Sequence, residues 1–453
     1  MLNDILYAFR TLRKSPGFTV VVVLTLALGI GANTAIFSVV EGAVLAPLRY
    51  SEPDRLVNVW ESNPRFSYVL ISYPNFLDWQ RSASSFERMS ALIPGQGYDL
   101  TSPGTPEHLD GKVVSAGYFA TLGLNLIRGR DFTSQEDAQG GAPAVIISER
   151  LWKSRFDGNS DAVGKSATLN GLDYTIVGVA PPGAALDVDA DIYTPLGQGD
   201  PLVLNNRGSH GILSIARLKP GVSIFQAQAE MSAIQKSLDE LYPDADRDLG
   251  TVVDPLKHLI VGDVGGTLLL LLGAVGLVLL IACANVANLT LARSAARSRE
   301  FSIRLALGAS RPRVVRQMLT ESVLLSLAGG ALGLTAAAWG IRPVLALVPD
   351  AVPRTREIGL NFPVLLFSFG VAVAVGILFG LAPALKNSKA SLQSALKEGG
   401  RAASGGHYRV QSTLVILQVA LTLILLAGAG LLLRTIRRLA EVSAGFETQH
   451  DIT

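Results

Sequence analysis

Five long stretches of this chain contain no Asp, Glu, Lys or Arg, and they constrain the fold more than any other feature. They are Ser15–Val40, Val264–Ala292, Ser322–Ile341, Ile358–Leu385 and Val410–Leu433. A helix needs about 20 apolar residues to cross a bilayer, and each stretch is long enough. The chain of 453 residues is only 17% charged, whereas soluble globular chains carry about 25% charged residues. The sequence therefore predicts an α-helical membrane protein.

The first of these stretches predicts a retained span and not a cleaved signal peptide. Basic residues precede it, but its apolar core is longer than that of a signal peptide, and no convincing cleavage site follows. We expect a transmembrane helix over 15–45. Apolar residues recur at helical spacing in 1–14, which predicts an interfacial helix leading into the span.

Residues 46–263 separate the first two spans and have the composition of a folded domain, with Pro, Gly, Asp and Asn throughout. Mixed patterns predict an α+β domain. Helices are predicted to open at Ser72, Ser148 and Ser223, and Asn170-Gly171 is a strong hairpin signal between two strands. Predicted strands cover 56–60, 144–147, 167–169, 174–177 and 212–218.

Seven arginines and two acids fall in 293–321, between the second and third spans. Basic residues are retained on the cytoplasmic side, so this segment predicts a cytoplasmic loop. Phe301 and Ile303 each have an apolar partner four residues on, which indicates a surface helix that Gly308 ends, and Ser310 then opens a second helix. Such a helix–turn–helix is suited to receiving force from a soluble partner.

The distribution of basic residues predicts a cytoplasmic N-terminus in an inner (plasma) membrane. Residues 1–14, the 293–321 loop and the linker 386–409 are all basic and fall on one side if every stretch spans. The 46–263 domain is then extracytoplasmic. Arg434, Arg437 and Arg438 disagree, because they follow the fifth stretch on the opposite side. Whether the fifth helix fully spans is therefore left open.

Two glycine pairs within the spans have the G-x-x-x-G spacing. They are Gly329 with Gly333 and Gly376 with Gly380. Small residues let two helices approach closely in lipid, so these pairs are predicted helix-packing positions. The alternative, with equal weight, is that glycine is simply common in transmembrane helices.

The sequence predicts no catalytic, metal or cofactor site. Gly164-Lys165-Ser166 resembles the end of a P-loop, but the first glycine is misplaced and a hairpin follows where a helix is needed. The five histidines lack metal-ligand spacing, and Asp187, Asp189 and Asp191 lack the remainder of an EF-hand loop. The single cysteine, Cys283, excludes an intrachain disulfide.

Six segments carry further motifs, at 29–37, 118–132, 174–179, 217–222, 284–289 and 299–311. In this order, which covers nearly the whole chain, they resemble the MacB/FtsX superfamily of ABC-transporter permeases. The resemblance implies a four-span permease unit plus a fifth apolar helix, with a large inserted α+β extracytoplasmic domain. The implied parts are a MacB-like periplasmic core domain at 46–263 and an FtsX-like permease domain at 264–385, whose 293–321 loop contacts an ATPase.

One departure from a single unit follows the linker. Residues 410–453 resemble the join of duplicated permeases, where a second unit of the same kind begins. We therefore expect a second permease unit as partner, either as a homodimer or as a missing second half.

The favoured hypothesis is the membrane subunit of an ABC-type complex, with no enzymatic activity of its own. The resemblance implies that a separate cytoplasmic ATPase drives movement of the periplasmic domain, for export or mechanotransmission. We also expect contact with membrane lipid and no nucleic-acid partner. The alternative is a membrane-anchored extracytoplasmic binding or sensing protein without ATPase coupling. Predicted ATPase-coupling residues are Arg299, Glu300, Phe301, Arg304, Gly308 and Arg311.

Overall fold

The computed structural model of the chain describes residues 2–186, 190–262, 264–296, 303, 310–347, 354–355, 358–388 and 405–440. The chain forms two compact units, Met1–Ala46 with Asp263–Thr453 (the membrane unit) and Pro47–Gly262 (the inserted unit). The α-helices of the described residues are α1 Leu2–Arg13, α2 Pro16–Val40, α3 Tyr73–Ser82, α4 Tyr118–Leu122, α5 Glu149–Arg155, α6 Pro201–Leu204, α7 Ile224–Leu241, α8 Leu256–Val261, α9 Val264–Ala296, α10 Arg311–Leu347, α11 Phe362–Ser388 and α12 Gly405–Ala440.

The membrane unit contains five helices that are long and apolar enough to cross a membrane. Their spanning parts are Pro16–Leu45, Val264–Ser294, Pro312–Pro343, Phe362–Leu381 and Ser412–Thr435. This confirms the five apolar stretches read from the sequence. The helices also extend beyond those stretches: α9 and α10 continue into the predicted 293–321 loop, and α11 and α12 continue into the predicted 386–409 linker.

Four of these helices, α2, α9, α10 and α11, enclose the core of the membrane unit. Its buried side chains include Leu26 and Ile30 of α2, Val286 of α9, Leu325 of α10 and Phe379 of α11. The fifth, α12, contacts α9, while its described apolar stretch has no buried residue in the chain as described. The unit is therefore a four-helix core with one peripheral helix.

The inserted unit is built on one eleven-stranded sheet. Its strands pair in the order β11-β1-β10-β3-β4-β9-β6-β8-β5, with β2 beside β10 and β7 beside β3 and β8. Most neighbours are antiparallel, but β4 with β9 and β6 with β8 are parallel. The strands are β1 Leu56–Ser62, β2 Ile71–Ser72, β3 Phe86–Ser102, β4 Glu107–Val114, β5 Arg128–Gly129, β6 Ala144–Ser148, β7 Ser166–Leu169, β8 Leu172–Ala180, β9 Ile192–Pro195, β10 His210–Leu218 and β11 Gly250–Pro255.

Local sequence signals explain where several of these elements begin. The hydroxyl of Ser72 accepts from the backbone N–H of Asn75, and the hydroxyl of Ser148 accepts from that of Leu151. Ser223 forms a reciprocal capping box at the start of α7. The Asn170-Gly171 turn has positive φ at both residues, as a tight hairpin requires, and joins β7 to β8. The predicted helices, hairpin and mixed α and β fold class are confirmed.

The longest strand was not predicted. β3 continues through Pro94, Gly95 and Gly97, residues that are typical of turns. Its register to β4 shifts between Ile93 and Gln96, which marks a bulge. A bulge holds residues that are unpaired in the ladder, so turn-forming residues occur there without ending the strand.

Candidate functional site

The backbones of α2 and α10 are in direct contact at two glycines. A β-carbon added to Gly31 would lie 2.9 Å from the carbonyl oxygen of Gly333, and one added to Gly333 would lie 2.7 Å from the carbonyl oxygen of Ala27. One turn away, a β-carbon on Gly329 would lie 2.7 Å from the β-carbon of Leu26. Any larger side chain at these positions would separate the two helices.

A second close contact joins α11 to α10. A β-carbon on Gly376 would lie 2.8 Å from the α-carbon of Val323, and one on Gly380 would lie 2.8 Å from Cδ2 of Leu319. The structure thus places all four glycines of the two G-x-x-x-G pairs against a neighbouring helix. Sequence reasoning missed Gly31 as a contact, because its partner lies about 300 residues further along the chain.

Uncharged polar side chains also connect α2 to α9 and to α11. The side-chain amide of Asn33 donates to the carbonyl oxygen of Val275, on α9, at 2.8 Å. The hydroxyls of Thr34 and Ser368 are 2.9 Å apart and join α2 to α11. Such bonds in lipid stabilise helix association by about 0.6–2 kcal/mol each. A search of the sequence for charged residues in the spans does not reveal these hydrogen bonds, because the side chains that form them are uncharged.

One charged residue does lie within the first spanning helix. Glu41 follows the uncharged stretch directly and is buried, at the start of a single π-helical turn, Glu41–Leu45. Its carboxylate accepts a hydrogen bond from the side-chain amide of Asn361. Just after this turn, the carbonyl oxygen of Ala46 accepts a hydrogen bond from the guanidinium of Arg354 at 2.9 Å. Because π-helical turns are rare and often functional, this end of the helix is a candidate hinge.

At the opposite end of the helix core, Arg293 joins the last turn of α9 to the junction of α1 and α2. Its Nη2 donates to the hydroxyl of Ser15 at 2.6 Å and to the carbonyl oxygen of Thr11 at 3.4 Å. Its guanidinium carbon lies 4.3 Å from the ring centre of Phe18, a cation–π distance. Arg293 therefore fastens the N-terminal helix to the helix that leads into the predicted coupling segment.

Of the predicted coupling residues, Arg311 lies within the described part of the chain. Arg299, Glu300, Phe301, Arg304 and Gly308 lie outside the described residues. Arg311 is the first residue of α10. In that helix Val314 is buried, while Arg313 and Arg316 are exposed, so its first turns are amphipathic.

The P-loop-like segment and the alternating aspartates are two features for which the sequence predicts no binding site. Ser166 begins β7, and the backbone N–H of Gly164 donates to Ile176, so a hairpin follows the P-loop-like segment. Asp191 pairs with Arg150, while Asp187 and Asp189 lie outside the described residues. Across the described ranges, no group of three or more His, Cys, Asp or Glu side chains is placed to hold a metal ion.

Five apolar helices of spanning length and a separate mixed α and β unit define a multi-pass membrane protein with a large domain inserted after its first span. Two family models match it in chain order. Residues 19–234 match the MacB-like periplasmic core domain, and residues 272–392 match the FtsX-like permease C-terminal domain. The chain belongs to the MacB/FtsX type of ABC-transporter permeases, as its sequence motifs predicted.

Similar proteins include two exporters. The chain is 25% identical over 399 residues to the macrolide export ATP-binding/permease protein MacB of Shigella flexneri, covering 83% of this chain and 58% of the relative. It is 27% identical over 272 residues to the pyoverdine export ATP-binding/permease protein PvdT of Pseudomonas syringae pv. tomato, covering 58% and 39%. The chain thus spans about half the length of the curated relatives it matches.

Among solved structures, the periplasmic region of MacB from Actinobacillus actinomycetemcomitans is similar to part of the chain. The match has a TM-score of 0.34 and 16% sequence identity, and covers 45% of this chain and 90% of that one.

Proposed function

We propose that this chain is the membrane subunit of an ABC-type exporter, and that a separate cytoplasmic ATPase drives movement of its inserted domain. The single observation that carries the proposal is the backbone contact of Gly31 with Gly333. It makes α10, which begins at the predicted coupling segment, a rigid neighbour of α2, whose chain leads directly into the inserted unit. The inserted unit is connected to α2 at one end and to α9 at the other. Movement of the coupling segment would reach the unit through α9 directly, and through α10 and its neighbour α2.

The proposed orientation places the N-terminus, the 297–309 segment and the 389–404 segment in the cytoplasm. It rests on the seven arginines of 293–321, because basic residues are retained on the cytoplasmic side. The inserted unit is then extracytoplasmic, which agrees with the family description of its matched domain as periplasmic.

The proposed action is mechanical. The uncharged polar side chains in the described spans that we find joining helices are Asn33, Thr34, Ser326 and Ser368, and all four form hydrogen bonds. They therefore hold the helices together and are not arranged as a transport path through the bilayer. The relatives' names connect the family with export of macrolides and pyoverdine, and we propose outward action for this chain without assigning its substrate.

The ATPase partner is tested by copurification. A tagged chain is extracted in mild detergent from the cells that encode it, and the eluate is examined for an ABC ATPase by mass spectrometry and for ATP hydrolysis. We expect the ATPase with the wild-type chain and its loss with Arg304→Glu combined with Arg311→Glu. The matched control is Arg342→Glu, which reverses one exposed charge at the other end of α10.

Two outcomes would contradict the proposal. Retention of the ATPase by the doubly substituted chain would show that these arginines do not form the contact. Absence of any ATPase from the wild-type eluate, with the chain inserted in the membrane, would favour an extracytoplasmic binding or sensing protein.

A further inference from the structure

A cluster of charged and amide side chains is buried inside the inserted unit. We call it the Glu61 cluster, and it consists of Glu61, Asn75, Arg207, His210 and Asp246. Glu61 on β1 and Asp246 in the turn after α7 are both fully buried. A buried carboxylate is costly unless it is paired and hydrogen-bonded, so the partners of these two acids determine what the cluster does.

Asn75 of α3 joins the two carboxylates. Its side-chain nitrogen donates to Oε1 of Glu61 at 2.7 Å and to Oδ1 of Asp246 at 3.0 Å. Arg207 donates to the side-chain oxygen of Asn75 and to the carboxylate of Asp78, and its Nη1 lies 3.6 Å from Oδ2 of Asp246. Its guanidinium also lies over the ring of Tyr242, 3.6 Å from the centre. Arg207 thus serves Asp78 and Asp246 and does not reach Glu61.

His210 is the cationic partner left for Glu61. Its Nδ1 lies 2.6 Å from Oε2 of Glu61. Glu61, Asp78 and Asp246 supply three negative charges, whereas two guanidiniums pair with this group: Arg207 with Asp78 and Asp246, and Arg81 with Asp78 at 3.7 Å. A proton on His210 reduces this excess of negative charge, and without it the buried Glu61 has no positive partner in the cluster.

Glu61 and His210 also border the base of a loop, residues 62–70. At its base, the backbone N–H of Val69 donates to the carbonyl oxygen of Glu61 at 2.8 Å, and the N–H of Glu61 donates back at 3.1 Å. His210 lies opposite Ser72 of β2, just after the loop, so β10 borders the other side of the base. The loop presents Phe66 and Tyr68, which are 64% and 54% exposed.

We propose that His210 and Glu61 form a proton-operated latch that holds the 62–70 loop against β10 and releases it as the pH rises. Asn75 bonds Glu61 directly and joins it to Asp246, and Arg207 lies beside Asp246. Beyond Arg207 are Asp78, with its second partner Arg81, and Tyr242. Loss of the proton leaves Glu61 as an unpaired buried charge. Its solvation then requires opening of the loop base.

The electrostatics give the direction. The Glu61 carboxylate raises the pKa of His210 above its ordinary value, although burial opposes this. Burial raises the pKa of Asp246, and Glu61 adds to that rise. A raised pKa in the folded state contributes stability that is fully present below the unfolded pKa and is lost as the pH rises through the folded pKa. The latch is therefore closed at acidic pH and opens at a pH above the ordinary pKa of histidine.

Hydrogen–deuterium exchange of the full chain in detergent tests the latch, with peptides covering 61–72 followed from pH 6 to pH 9 and corrected for the intrinsic rate. We expect protection of the amides at the loop base to fall about tenfold or more over this range, since one pKa unit corresponds to about a tenfold change in the equilibrium. In His210→Gln and in Glu61→Gln, the protection becomes independent of pH.

His108→Gln is the matched control, because His108 is also paired with a carboxylate, that of Asp99 at 2.8 Å, but on the surface of the same unit. It should keep the wild-type profile. The pKa of His210 is also measured in the unaltered chain, from the rate of exchange at its imidazole C2 position, so the test does not depend on a variant that folds. A His210 pKa at or below the ordinary value, or an unchanged pH profile in His210→Gln, would overturn the latch.

Discussion

Gly31 and Gly333 face each other so closely that a β-carbon on Gly333 would lie 2.8 Å from the backbone nitrogen of Gly31. Helices whose backbones touch in this way exclude even a methyl group from the contact. Because van der Waals packing is a main source of helix association in lipid, this contact governs the spacing of α2 and α10.

We predict that Gly333→Ala destabilises the membrane unit by about 1–3 kcal/mol, the usual effect of overpacking. Thermal unfolding of the purified chain in detergent measures the change. Gly340→Ala is the control, because it lies on the same helix with nothing within 4 Å of its added β-carbon. Equal melting temperatures for the two variants would show that α2 and α10 tolerate separation at this point.

We predict that Arg293→Lys releases the N-terminal helix although the charge is retained. Lysine lacks the planar group that donates to Ser15 and Thr11 while lying over Phe18. Deuterium exchange of residues 2–13 should become faster. Arg313→Lys provides the comparison at an exposed arginine of the same basic segment, and an equal effect of both substitutions would exclude a specific role for Arg293.

We predict that Asp131→Asn stabilises the inserted unit at neutral pH. Burial raises the pKa of Asp131 to about 6, so the folded state favours the protonated carboxyl. The stability from this group is complete below the ordinary pKa of 3.8 and is lost as the pH rises through about 6. The advantage of the asparagine variant should therefore grow from pH 4 to pH 6 and then level off, at up to about 3 kcal/mol.

Denaturant unfolding at several pH values measures this difference. Asp244→Asn removes an exposed carboxylate of the same unit and should have no comparable effect. A stability difference for Asp131→Asn that is constant from pH 4 to pH 7 would contradict the assigned titration.

We predict that a thiol at Ser310 is protected from an impermeant maleimide in intact cells and reacts once the membrane is permeabilised. Cys283 is first replaced, since it is the single cysteine of the chain. A thiol at Ser67, exposed in the inserted unit, should react in intact cells and serves as the positive control. Labelling of Ser310→Cys from outside would reverse the proposed orientation.

Features that depend on neighbouring residues in the sequence were predictable. The spans follow from the absence of charge, and the starts of α3, α5 and α7 follow from Ser72, Ser148 and Ser223. The β7–β8 hairpin follows from Asn170-Gly171. In each case, the physical cause lies in residues that are close together in the sequence.

Features that depend on distant residues were not predictable. The spacing of Gly329 and Gly333 indicated a contact face but not that α2 fills it with Leu26 and Gly31. His210 lay among histidines without metal spacing, and nothing near it in sequence reveals the carboxylate of Glu61. The path of β3 across Pro94 depends on a bulge that its partner strand supports.

The first and last strands of the inserted unit, β1 and β11, are antiparallel neighbours, with Val57 opposite Pro255 at the ends that lead to Pro47 and Gly262. Pulling those two chain ends apart would open the ladder like a zipper, one hydrogen-bonded pair after another. Displacing both ends together places no such load on it. The domain is thus suited to moving as a rigid body when both of its chain ends are displaced together, and poorly suited to having those ends pulled apart.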